Sequence, residues 1–223
     1  MIARHFLRDD MTAASGNEPA WTVGEERTYK GMIKLCETGY HSSPSWYDAL
    51  GYANGSMACI VDVSKPVQSD ATKSVSKTRT LIAARNVAHE LRLWAADCAE
   101  RALQRESDGG REPDARSWSA IEVARRFAAG EATAAELASA SSSASSAAYA
   151  AYASAFAASS ASASSVASAS SAAVAYAVAS SVASASSAAY AAAYAVGARA
   201  AEKQWQAAVL NARLDALFPV VTL

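Results

Sequence analysis

The segment Ser164-Ser-Val-Ala-Ser-Ala-Ser-Ser-Ala-Ala173 is repeated at residues 180–189, inside a stretch from Leu137 to Ala198 that has no Asp, Glu, Lys, Arg or His. We call residues 137–198 the alanine–serine tract. Alanine is the strongest helix former, and no Gly or Pro interrupts the chain between Glu131 and Val196. An uncharged alanine surface is poorly solvated, so the tract is predicted to be helical and to pack against other protein.

The larger side chains of the tract recur every three or four residues, which is the spacing of one helical face. We expect this stripe to bind a second copy of the chain or another protein partner. Its members are Tyr149, Tyr152, Phe156, Val174, Val178, Val182, Tyr190 and Tyr194. An unbroken helix would be a rod of about 95 Å. Two alternatives are a helix folded back into a bundle and a low-complexity tract under weak selection. A third, an ice- or surface-binding helix, is least favoured because the tract lacks regularly spaced Thr.

The pattern outside the tract predicts an α+β fold with three regions. Residues 1–87 form a small α+β head of about four strands and one helix, residues 88–130 form two amphipathic helices, and residues 131–223 form the long helical region. Thr133 and Glu136 make a capping box that begins the long helix, and a charged amphipathic helix follows at about 198–217. The predicted strands are Trp21–Gly24, Met32–Cys36, Met57–Val63 and Lys77–Ala84, and the predicted helix is 45–53, with Ser43 as its cap.

Composition excludes several classes of protein. A net charge of −1 gives no field that would attract nucleic acid or an anionic membrane. The tract has too little Leu, Ile and Phe for a membrane span. Three cysteines without a CxxC pair favour a reducing cytoplasm and argue against a metal site. We therefore expect a cytoplasmic protein with no nucleic acid, no membrane, no metal and no cofactor among its partners.

Few residues suggest chemistry. Cys36 is predicted as a core residue of a strand, His41 as a turn residue and His5 as part of a loose N-terminal arm. The basic run Lys73, Lys77, Arg79 and Arg85 is predicted as the polar face of a strand. The common nucleotide-binding, metalloprotease and hydrolase motifs do not occur.

One segment resembles ADP-ribosyltransferases. Gly39-Tyr40-His41-Ser42-Ser43, followed by Ala49, Tyr52 and Ala53, is similar to their strand–helix segment, and Tyr29-Lys30-Gly31 to their Tyr-Arg-Gly, with Lys in place of the NAD-contacting Arg. The resemblance implies an alternative function, a degenerate transferase-like domain that binds NAD or ADP-ribose. Its ligand contacts would be Tyr29, Tyr40, His41 and Trp46.

A broader resemblance covers about residues 20–215. Leu35-Cys36-Glu37-Thr38-Gly39-Tyr40-His41, with Ala49-Leu50-Gly51-Tyr52, resembles small domains in phage and actinobacterial proteins of unknown function. A helical module like residues 93–137 and alanine-rich repeats follow in those proteins, which are often labelled immunity proteins. The resemblance implies neutralisation of a toxin or defence factor by binding. The favoured interpretation is therefore a non-enzymatic interaction protein that self-associates, as a homo-oligomer, or binds a protein partner through the tract.

Overall fold

The computed structural model describes residues 1–14, 16–110, 112–155 and 196–218, and side-chain exposure is described for 1–14, 16–110, 112–145 and 200–218. These residues form an α+β fold, as predicted. The strands are β1 (Ile2–Leu7), β2 (Glu26–Thr28), β3 (Tyr40–Ser42), β4 (Met57–Val63), β5 (Gln68–Ser69), β6 (Ser74–Ser76) and β7 (Thr78–Asn86). The helices are α1 (Trp46–Leu50), α2 (Ala88–Asp108), α3 (Ala115–Ala128), α4 (Ala134–Ala155) and α5 (Val196–Asp215).

The chain divides into two compact units. The first unit contains Met1–Ala88 and the residues from Ala207 onward, and the second contains His89–Gln206. The sequence division grouped the C-terminal residues with the tract instead. They belong to the first unit because Leu210 and Leu214 are fully buried there and Asp215 bonds to Trp46.

Two antiparallel sheets form the first unit, in the orders β1-β4-β7-β2 and β3-β6-β5. Strands β4 and β7 are paired along their length, with a bulge at Ile60/Val61. Two backbone hydrogen bonds between Arg4 and Ser43, of 2.9 and 2.8 Å, join β1 to the end of β3. The second sheet is thereby tied to the edge of the first.

The four-stranded sheet has two distinct faces, because side chains alternate along a strand. His5 and its partner Cys59 share one face with a core cluster of Ala3, Leu7, Val61, Val63 and Leu81, which Trp21 and Tyr40 cover. We call this the His5 face. Arg4 and Phe6 lie on the opposite face, where Trp46 of α1 contacts both. We call this the Trp46 face.

Several local predictions for the head are wrong. Residues 2–7, predicted as a loose arm, form strand β1, in which burial lowers the pKa of His5 well below its usual value. Trp21–Gly24 and Met32–Cys36 are loops, although Trp21 is buried by packing against Tyr40. The helix cap is Ser45, whose hydroxyl accepts from the Asp48 N–H, and not Ser43. Seven strands are described where about four were expected.

The helices of the second unit pack through small residues. Ala96, Ala99 and Leu103 of α2 form one cluster with Ile121 and Ala124 of α3 and Leu137 of α4. Asp114 caps α3 through the Arg116 N–H. Arg125 of α3 bonds to Glu100 and Asp97 of α2 at 2.6 and 2.9 Å, which holds the two helices in register.

Within the described residues, no helix combines the length and hydropathy needed to cross a bilayer.

Candidate functional site

Tyr40 is the centre of an aromatic cluster on the His5 face. Its side chain is 6% exposed, and its ring lies edge-on to Trp21 at 5.5 Å and to Tyr29 at 6.3 Å between centroids. Its hydroxyl donates to Oε1 of Glu18 at 2.8 Å. Burial and the bond to Glu18 raise the pKa of Tyr40 to about 12, so the phenol stays protonated and acts as a fixed donor.

His41 lies beside Tyr40 in β3 and not in a turn. Its Nε2 accepts the N–H of Cys36 at 2.9 Å, and its carbonyl oxygen accepts from Nη2 of Arg79. Burial, together with the charges of Lys73 and Arg79, lowers the pKa of His41. The neutral imidazole therefore supports the turn at Cys36, an exposed residue with φ of 69° rather than the strand core residue that was predicted.

Arg79 is the residue of this site that the sequence interpretation missed. It was predicted on a polar strand face, but it is 4% exposed and its guanidinium lies 5.1 Å from the Tyr40 ring centroid and 5.5 Å from that of Trp21. Burial lowers the pKa of Arg79 to about 10, which still leaves it charged at neutral pH. The available signal was the pattern Thr78-Arg79-Thr80-Leu81, in which Arg79 shares its strand face with buried Leu81.

The other titratable groups on the His5 face are neutral. Burial raises the pKa of the Cys59 thiol to about 12, and burial and the charge of Arg79 lower the pKa of His5. A thiol that stays protonated is a poor nucleophile. Arg79 is thus a buried cation beside a neutral thiol and a neutral imidazole, with Glu18 as the acidic group whose charge acts on it. This arrangement is suited to binding rather than to nucleophilic attack.

Trp46 does not belong to this site. It is fully buried on the Trp46 face, where its Nε1 donates to Oδ1 of Asp215 at 2.8 Å and its ring stacks on Phe218 at 5.1 Å. The structure therefore brings together Tyr29, Tyr40 and His41 of the predicted ligand set and places Trp46 on the opposite side of the sheet.

The start of the alanine–serine tract follows the predicted capping box. The Thr133 hydroxyl accepts from the Glu136 N–H at 3.2 Å, and Oε2 of Glu136 accepts from the Thr133 N–H at 2.7 Å. The first turns of α4 then bury Leu137, Ser141 and Ala144. This burial gives the N-terminal part of the tract one defined packed face.

The helix that follows the tract is anchored to α2. Glu202 of α5 accepts from Arg101 and Arg105 at 2.9 and 2.8 Å, and Nε1 of Trp94 donates to the Gln206 carbonyl at 3.1 Å.

Only part of the predicted contact stripe lies within the residues that the structure describes. Tyr149 and Tyr152 lie in α4, where the backbone is described. The remaining members lie outside the described residues: Phe156, Val174, Val178, Val182, Tyr190 and Tyr194. In the part of the chain that the structure describes, no group of three or more His, Cys, Asp and Glu side chains could hold a metal ion.

Comparison with known proteins gives one similarity. A family model described as a domain of unknown function (DUF7666) matches residues 1–92. The match covers both sheets and ends within α2, so Asp215 and Phe218, which contact Trp46, lie beyond it. No curated protein and no solved structure matches the chain.

Proposed function

We propose that this protein is a non-catalytic interaction protein that associates with a second copy of itself through the alanine–serine tract. The immunity-group resemblance suggests that the same surface serves to neutralise a toxin or a defence factor. The observation that supports this proposal is the division of α4 into a packed face and an open flank.

Helix geometry places position 149 away from the packed face of α4. At 100° per residue, Leu137, Ser141 and Ala144 lie within about 60° of one another, and position 149 lies about 120° from Leu137. Position 152 lies about 60° from Leu137, at the edge of the packed face next to Ser141. The described residues Ala138 and Ser142, on the same side as position 149, are exposed. Position 149 therefore lies on a flank whose described residues are exposed, and the proposal extends the stripe from there.

The pair Tyr149→Asp and Tyr152→Asp tests the proposal in the full-length chain. If the stripe mediates self-association, the wild type has a mass by light scattering that is a multiple of 23.0 kDa, and the double variant falls to 23.0 kDa. Two buried aromatic side chains replaced by charges weaken such a contact by about 3 kcal/mol or more.

The matched control is Ser139→Asp with Ser143→Asp, which adds the same charge to exposed positions on the other flank of α4. This control should remain associated. A monomeric wild type, or equal loss of mass in both variants with unchanged helical circular dichroism, would show that the stripe is not the interface. Tyr190→Asp with Tyr194→Asp extends the test to the part of the tract outside the described residues.

Binding of NAD or ADP-ribose is the second candidate, since Tyr29, Tyr40 and His41 lie together beside a buried cation. Because Trp46 lies on the opposite side of the sheet, the proposed ligand contacts are these three residues and Arg79. A rise in the unfolding temperature with NAD or ADP-ribose would support this candidate, because a ligand at a hundred times its dissociation constant adds about 2.7 kcal/mol to the stability. An unchanged midpoint would eliminate it.

A further inference from the structure

Three buried side-chain nitrogens on the His5 face have no hydrogen-bond partner among the residues that the structure describes. They are Nε of Arg79, Nε1 of Trp21 and Nε2 of His5. Buried polar groups are satisfied in the great majority of cases, so an unpaired group in a folded interior indicates a missing water, ion or ligand. The Arg79 guanidinium lies 5.5 Å from the Trp21 ring centroid, and its charge acts on His5, so the three nitrogens lie close enough to share one occupant.

The chemistry of these atoms limits what that occupant can be. Arginine Nε and tryptophan Nε1 are donors only, and the neutral imidazole can donate from Nε2 in one tautomer. The occupant must therefore offer acceptors to at least two donors. A group that is only a donor, such as an ammonium, does not fit.

Charge narrows the choice further. Arg79 is only 4% exposed to solvent. Among the described residues, no carboxylate forms an ion pair with it. Glu18, whose charge raises the pKa of Arg79, already accepts from Tyr40 and lies 3.5 Å from Nη1 of Arg27. A buried cation without its own counter-charge is costly, and an incoming anion would offset that cost.

We propose that the His5 face binds one small oxyanion, a phosphate or carboxylate group, whose oxygens accept from Nε of Arg79 and Nε1 of Trp21 with His5 as the third contact. Hydrogen bonds between a guanidinium and an oxyanion are short and strong, so this one group supplies most of the binding. The aromatic rings of Trp21 and Tyr40 enclose the guanidinium and exclude water from it. The site is independent of the tract and of its proposed self-association.

Thermal unfolding of the full chain tests the site, with sodium phosphate, sodium acetate or ADP-ribose against sodium chloride at equal ionic strength. We expect a saturable rise in the unfolding midpoint of about 3 °C or more with phosphate or acetate. A response to ADP-ribose at much lower concentration would identify the oxyanion as part of a nucleotide. A midpoint that does not change with any of the three anions would overturn the proposal.

The variant Arg79→Met should abolish the shift, while Arg85→Met, an exposed arginine on the same strand, should keep it. Replacing a buried, unpaired charge by an apolar side chain is expected to leave the fold intact. If Arg79→Met nevertheless fails to fold, NMR of the wild type decides. The Nε–H signals of Arg79 and Trp21 must both move on phosphate titration, and if they stay fixed, internal water satisfies these atoms and no anion site exists.

Discussion

The two units are stabilised by opposite kinds of side chain. The first unit depends on large residues with specific polar contacts, such as Trp46 with Asp215, which are 169 positions apart in the chain. The second unit depends on alanines that let α2, α3 and α4 approach closely, with ion pairs at the surface. The stability of the first unit should therefore fall when a large side chain is shortened or a hydrogen-bond partner is removed. The stability of the second unit should fall when a buried small side chain is enlarged.

Trp46→Ala should have the largest effect, because it empties the centre of the Trp46 face. The variant removes the contacts with Phe6 and Phe218 and the Trp46 hydrogen bond to Asp215, which keeps only its longer contact with Arg4. We expect the free energy of unfolding to fall by about 3–5 kcal/mol, measured by urea denaturation followed by circular dichroism.

Trp205→Ala is the comparison in the second unit. Trp205 is half-buried, and its main described contact is the Arg101 guanidinium 4.4 Å above the ring. Its removal should cost only about 1 kcal/mol. Equal losses in the two variants would show that the two units do not differ in the way described.

Ala99→Leu should destabilise the second unit by overpacking, though by less than Trp46→Ala destabilises the first unit. Ala99 is 4% exposed within the cluster of small residues. Extra methylenes in a tight contact cost about 1–3 kcal/mol, and the urea midpoint should fall accordingly. Ala135→Leu, at an exposed position of α4, should leave the midpoint unchanged, and an unchanged midpoint in Ala99→Leu would mean that α2 and α3 are not closely packed.

A further prediction concerns the pH dependence of the stability of the first unit. The pKa of His5 lies well below 6.5 when folded, so between these two values the unfolded chain binds a proton that the folded chain does not. Stability therefore falls as the pH drops below about 6.5, by at most about 1.4 kcal/mol per pH unit for this residue. It levels off below the folded pKa.

Urea denaturation between pH 7 and pH 5 measures this slope. The variant His5→Gln should have a flatter dependence than the wild type, although His41, whose pKa is also lowered, retains its own contribution. Parallel slopes for His5→Gln and wild type would mean that folding does not lower the pKa of His5.

The same contrast explains which parts of the fold could be predicted from sequence. The helices of the second unit follow from local signals: the T-x-x-E capping box begins α4, Pro113 precedes α3, and Gly130 follows it. Strands β4 and β7 follow from continuous apolar or β-branched runs. All of these signals lie within a few residues of the element that they specify.

Strand β1 and Arg79 could not be predicted in this way. Arg4 and His5 interrupt the apolar residues of β1, and their positions make sense only beside partners far away in the chain, such as Asp215 for Arg4. Arg79 is stabilised by Tyr40 and Trp21, two aromatic residues from separate loops and strands. The resemblance grouped four candidate ligand residues, of which Tyr29, Tyr40 and His41 lie near one another and Trp46 lies on the opposite face of the sheet.

The return of the C-terminal residues to the first unit has a consequence for synthesis. Trp46 leaves the ribosome long before Asp215, with 169 positions between them, which takes roughly 8 to 34 s to translate. During that interval Trp46 lacks its contacts with Asp215 and Phe218. Synthesis of residues 215–218, rather than emergence of the strands, is therefore the event that completes the packing around Trp46.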